Sequence, residues 1–118
     1  MNNLLELELE GLPPTVNHMY SSAGGRRYKQ AEARDYQERV SLALRRLWSG
    51  QPYNGPAALS ITFTTNNRRR WDIDNRVKAL QDCLVMSGVL ADDRLINVLH
   101  VERHYSDKNA TRLTLSCA

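Results

Sequence analysis

Residues 59–80 read LSITFTTNNRRRWDIDNRVKAL. Within these 22 letters the apolar spacing changes. Leu59, Ile61 and Phe63 alternate with Ser60, Thr62 and Thr64, the period of a strand with two distinct faces. Val77 and Leu80, continued by Leu84, recur at three and four, the period of a helix. The strand ends near Asn66, and the helix spans about residues 75–87 with Asp74 or Asn75 as its cap and Gly88 as its stop. Ala79, Cys83 and Met86 form a second apolar stripe, so this helix is expected to be buried on two sides, the second meeting the core or another subunit. Between strand and helix sit three arginines, then two aspartates one residue apart.

Outward from this centre the pattern repeats. Toward the N-terminus, Leu5, Leu7 and Leu9 alternate with Glu6, Glu8 and Glu10, a first strand closed by Gly11 and Pro13-Pro14. Residues 15–29 have no period. Two serines and two glycines, with Arg26, Arg27 and Lys29, describe a basic loop that is expected to be mobile. Ala33, Tyr36, Val40, Ala43, Leu44 and Leu47 mark a helix over 30–48, stopped by Gly50. Toward the C-terminus, Asp92 and Asp93 open a third strand, with Leu95, Leu99, Val101 and Tyr105 on one face. A turn at 107–109 leads to a fourth strand carrying Leu113 and Leu115, which is expected to pair with the third as a hairpin. The order β-α-β-α-β-β implies an α+β fold, a mixed four-stranded sheet packed with two helices, in one domain spanning 1–118.

Composition limits the function classes. The 118 residues are 42% hydrophobic and 25% charged, with a formal net charge of +3, which suits a globular domain with a core of its own. No apolar run is long enough to span a bilayer, and the N-terminus lacks the form of a signal peptide, so a cytoplasmic protein is expected. Cys83 and Cys117 form no CxxC pair and read as reduced thiols.

The charge placement points to chemistry. Asp72 and Asp74 share one side of an extended backbone, and two carboxylates aimed at one point repel unless a cation lies between them. Hard divalent cations take such oxygens, together with substrate phosphates. Asp93, with Asp92 beside it, is a candidate for a further ligand. Lys78 lies one helical turn after Asp74 and is placed to pair with it, or to steady charge on a phosphate. Arg68, Arg69 and Arg70 are candidate phosphate contacts. The spacing fails as an EF-hand loop. It matches the DxD of sugar-nucleotide transferases, for which the chain is short. His100 and His104 share a strand face with no evident third zinc ligand and read as structural.

RRRWDIDNRVKAL, the later GVLADDRLI and the early LPPTVNHMY together resemble the RusA family of Holliday junction resolvases. The likeness runs through nearly the whole chain: an arginine-rich approach, D-x-D-N-x-x-K, then D-D about twenty residues on. The resemblance implies a homodimeric endodeoxyribonuclease, bacterial or phage-encoded, that uses Mg²⁺ (or Mn²⁺) and no small-molecule cofactor to resolve four-way DNA junctions by paired nicks. Carried over by position, Asp72, Asp74 and Asp93 are metal ligands with Asp92 adjacent, and Lys78 is the catalytic lysine. Asn75 orients the site, and Asn17 and the basic residues meet DNA. Trp71 stands where a basic residue is expected. The competing reading is a branched-nucleic-acid binder without catalysis, in which the aspartates merely pair with Arg68–Arg70. One geometric difficulty follows from the helix, since Asp72 and Asp74 precede it and Asp92 and Asp93 follow it.

Overall fold

The chain is described by a computed structural model that covers residues 2–15, 20–23, 26–29, 31–68 and 71–118. Strand β1 is Asn3–Glu10, a short hairpin is formed by β2 (Tyr20–Ala23) and β3 (Arg26–Lys29), and helix α1 is Ala31–Leu47. Strand β4 is Ala57–Thr65, helix α2 is Val77–Met86, and β5 (Ile96–Tyr105) and β6 (Ala110–Cys117) complete the chain. The main sheet is four-stranded and mixed, in the order β1-β6-β4-β5.

The expected architecture is present, with two differences. The hairpin β2–β3 stands where an aperiodic loop was expected. Its sequence signal was Gly24-Gly25, a dipeptide favoured in two-residue hairpin connections. The second difference concerns β5 and β6, which do not pair with each other. β4 runs parallel to β5 on one side and antiparallel to β6 on the other, and β6 also pairs antiparallel with β1. Burial explains the placement. β6 buries Thr111, Leu113, Leu115 and Ser116 and sits inside the sheet, whereas no residue of β5 is fully buried. With Glu102, Arg103 and two histidines, β5 has the charged character that keeps an edge strand from pairing further. A parallel β4–β5 pair needs a long crossover, and α2 is that crossover.

Both helices contribute to one core. Ala33, Tyr36, Val40 and Leu44 of α1 and Val77, Ala79, Leu80, Cys83 and Leu84 of α2 cluster with Leu59, Ile61 and Phe63 of β4 and with Leu113 and Leu115 of β6. The polar Gln37 and Ser41 are buried along the same stripe of α1, while Leu47, expected inside, is exposed. Cys83 is buried and Cys117 partly buried, and the two form no disulfide.

α2 ends where the glycine signal placed it. Gly88 has φ +81°, open to glycine at no steric cost. The Gly88 amide donates to the Val85 carbonyl at 3.1 Å and the Val89 amide to the Leu84 carbonyl at 3.2 Å, the paired bonds of a Schellman cap. The start of α2 differs from expectation. A turn of 3-10 helix spans Ile73–Arg76, Asp72 precedes it without a side-chain cap bond, and the α-helical part begins only at Val77. Neither Asp74 nor Asn75 caps it.

Candidate active site

Trp71 anchors the site to the core. Its ring meets Phe63 edge-on, with centroids 5.8 Å apart. The guanidinium groups of Arg76 and Arg103 lie 4.8 and 4.9 Å from its centroid. Arg103 also donates to the Trp71 carbonyl at 2.6 Å, and Arg76 donates to the Pro13 carbonyl at 2.6 Å. Two cations and a core phenyl therefore hold the residue that immediately precedes Asp72, through cation–π and edge contacts. A basic residue was expected at 71. The aromatic ring is met by basic side chains from elsewhere in the chain, so positive charge surrounds this point all the same. Burial lowers the pKa of Arg76 from its usual range.

Asp72 and Asp74 are exposed. Among the described residues neither side chain has a hydrogen bond or ion pair. The expected alternation holds only in part: Asp72 is extended, but the backbone coils into the 3-10 turn at Ile73, so Asp74 does not continue an extended run. Asn75 lies in the same turn, its amide donating to the Asp72 carbonyl at 3.1 Å.

Lys78 does not reach back to Asp74. Its Nζ lies 3.1 Å from Asp82 Oδ1 and 3.4 Å from Asp93 Oδ2. The second contact ties Asp93 to the lysine but does not itself bring Asp93 to Asp72 and Asp74. The α-helical part of α2 is ten residues, so about 15 Å long, and the segment after it brings Asp93 to the tip of the Lys78 side chain, which also reaches Asp82. Asp82, Asp92 and Asp93 line one open cleft of about 330 Å³ with Val85, Met86 and Ala91. The hydrogen bond from Lys78 to Asp82, ahead of the weaker contribution from Asp93, raises the pKa of the lysine and keeps it cationic.

Asp92 is engaged by its own turn. Its carboxylate accepts from the Arg94 amide at 2.9 Å and from Arg94 Nε and Nη2 at 3.1 and 2.8 Å. These Arg94 bonds, side chain first, hold the Asp92 carboxyl down to about 2. The folded value lies below the unfolded one, so the pairing adds stability above about pH 4. That contribution is lost as pH falls toward the folded value. Arg94→Ala should therefore lose less stability than the wild type on going from about pH 4 to about pH 2. Thermal unfolding across that range checks it, and superimposable acid profiles would remove this clamp as a stabiliser.

Asp92 is thus already engaged by Arg94, whereas among the described residues Asp72 and Asp74 have no such partner. Carboxylate oxygens are the donors a hard divalent cation takes. Among the described residues, however, no group of three or more His, Cys, Asp and Glu side chains is gathered closely enough to hold a metal.

Of the expected DNA contacts, Arg68 is exposed, with its guanidinium 4.9 Å from the Tyr105 ring centroid. The backbones of Arg26, Arg27 and Lys29 lie in β3, and their side chains fall outside the description. Asn17, Arg69 and Arg70 lie outside the described residues. His100 and His104 are exposed and flank Glu102 at 3.6 and 3.8 Å on the sheet face that carries no helix.

Arg76, Arg103 and Asp82 were not among the expected site residues. Asp82 carried a signal, because it stands four residues after Lys78. Arg103 carried none before the register of β5 was known.

Exposed carboxylates, a lysine fixed beside a further aspartate and arginines around them are the equipment of an enzyme that cuts phosphodiesters. The family model described as Endodeoxyribonuclease RusA matches residues 10–116. A crossover junction endodeoxyribonuclease RusA of Aquifex aeolicus (strain VF5) is 33% identical over 97 residues, covering 81% of this chain and 77% of the relative. The protein of the same name from Escherichia coli (strain K12) is 31% identical over 81 residues, covering 69% and 68%. The chain belongs to the RusA family, and it is an endodeoxyribonuclease. Among the described residues no helix is long and apolar enough to cross a membrane.

Proposed function

We propose that the chain resolves four-way DNA junctions in recombination and repair, as a Mg²⁺-dependent homodimer that makes paired symmetric nicks in the bacterial or phage-infected cytoplasm. The observation that carries this reading is the 3.4 Å contact between Lys78 and Asp93. It joins the early D-x-D-N-x-x-K segment to the later D-D pair, as a single cleavage site needs. The relatives' names supply the substrate class.

Asp72 and Asp74, joined by an Asp93 that moves toward them or comes from the second subunit, would hold Mg²⁺, or Mn²⁺ in its place, with Asp92 at the margin. The ion would supply a polarised phosphoryl oxygen and an activated water. Lys78 holds positive charge where a phosphate oxygen gains negative charge. Trp71, Arg76 and Arg103 fix the backbone from which Asp72 projects. Arg68 offers a cation to the flanking phosphates, with Arg69, Arg70, Arg26, Arg27, Lys29 and Asn17 extending that contact and Asn75 orienting the turn. A two-fold dimer suits a substrate that must be cut twice. The exposed Val85 and Met86 of α2 and Val98 and Leu99 of β5 offer apolar surface for the second copy.

The test is a synthetic four-way junction incubated with the protein in Mg²⁺ and in EDTA. Symmetric nicks in Mg²⁺ alone are expected, from protein that sediments as a dimer. Equal cutting of linear duplex would remove junction selectivity, and cutting in EDTA would remove the metal.

A further inference from the structure

Lys78 has two carboxylate partners, and only one of them belongs to the proposed cleavage site. Asp93 is the acid that site needs. Asp82 lies a full turn further along α2, nearer to Lys78 at 3.1 Å against 3.4 Å, and is the less exposed of the two at 19% against 35%. Behind it stands Gln37 of α1, 1% exposed, whose Nε2 donates to Asp82 Oδ2 at 3.4 Å. The contacts form a line: a buried amide on one helix, a half-buried carboxylate on the next, an ammonium, then the site's own carboxylate.

We propose that Asp82 is a positioning residue for strand cleavage: braced by Gln37, it keeps the Lys78 ammonium over the site when Asp93 is drawn to other partners. This deepens the resolvase reading and rests on it. A lysine on four flexible methylenes and paired with one acid follows that acid or leaves for solvent. With a second acid at i+4, fixed from behind by a buried side chain, the ammonium has a place to remain. The arrangement raises no objection from stability. An i,i+4 pair whose lysine faces solvent contributes little to folding, so the Asp82→Asn change, which keeps the side chain's shape, should act on rate more than on the melting curve.

The experiment is single-turnover cleavage of a four-way junction in Mg²⁺, beside junction binding in EDTA, for Asp82→Asn, Lys78→Ala and the double variant. Asp82→Asn should cut between about ten- and a hundredfold more slowly, the range for a displaced catalytic group, without losing junction affinity. The double variant should be no slower than Lys78→Ala alone, because Asp82 acts only through the lysine. Asp82→Glu should restore part of the rate. Gln37→Met, which removes the brace and leaves every charge in place, should slow cleavage by a smaller factor. Wild-type cutting matched by Asp82→Asn, or a double variant showing the product of the two separate defects, would overturn the role of Asp82 and leave the resolvase reading standing. A wild type that cuts no junction would overturn both.

Discussion

Asp74→Asn is expected to bind a four-way junction as well as the wild type and to cut it at least about a thousandfold more slowly. The size follows from the bond lost. An amide keeps the shape of the carboxylate but not its charge. A cation site deprived of one of its few anionic ligands gives up several kcal/mol of transition-state stabilisation, each about 1.4 kcal/mol being a factor of ten. Fold and binding should survive for local reasons. Asp74 is exposed and has no side-chain partner among the described residues, so its replacement should shift stability by no more than about 0.5 kcal/mol. The arginines stay, and removing a negative charge near a phosphate strand does not weaken its attraction. Asp93→Asn differs in one respect, because it also releases Lys78 from one of two carboxylates. It should lose cleavage to a similar extent and leave the lysine on Asp82. Gel-shift affinity in EDTA and single-turnover nicking in Mg²⁺ read the two quantities separately. An Asp74→Asn protein that nicks within tenfold of wild type would show that this carboxylate is not part of the chemistry.

Local patterning carried much of the fold. The alternation at Leu59–Thr64 reports a strand because β4 has one face on the helices and one outside. The three-four spacing of Val77, Leu80 and Leu84 reports a helix because one side is covered. Gly88 reports an end because its backbone conformation suits no other residue as well. What local pattern could not carry is which strand lies beside which. β5 and β6 are neighbours in sequence and joined by a turn, so a hairpin was the economical inference. Their separation by β4 depends on β6 being paired along both of its edges, with β1 and with β4, a property of the assembled sheet. The same limit applies to the site. Lys78 with Asp82 follows from helical spacing, and Lys78 with Asp93 follows only once the segment after α2 is seen to return. The clamp on Trp71 joins residues 32 positions apart and needs the register that sets Arg103 beside Phe63.

That register makes Phe63 the point where fold and chemistry are coupled. The side chain is fully buried in the central strand β4, within the single cluster shared by both helices and the sheet, and its edge contact supports Trp71. Phe63→Ala is therefore expected to cost about 3–5 kcal/mol, the transfer term plus the cavity left in a core that cannot close over it. In a chain of this size the melting temperature should fall by roughly 10–25 °C. Phe63→Leu, which keeps most of the volume, should cost less than about 1.5 kcal/mol. The two variants separate packing from positioning. Leucine fills the core but removes the aromatic edge under Trp71, leaving the indole held by Arg76 and Arg103 alone. If the clamp sets the backbone before Asp72, Phe63→Leu should fold nearly as well as wild type and still cut a junction more slowly at temperatures far below its melting point. Wild-type rates from a fully folded Phe63→Leu would mean that the two arginines suffice. A melting temperature for Phe63→Ala within a few degrees of wild type would mean that the packing of β4 against the helices is looser than these contacts require.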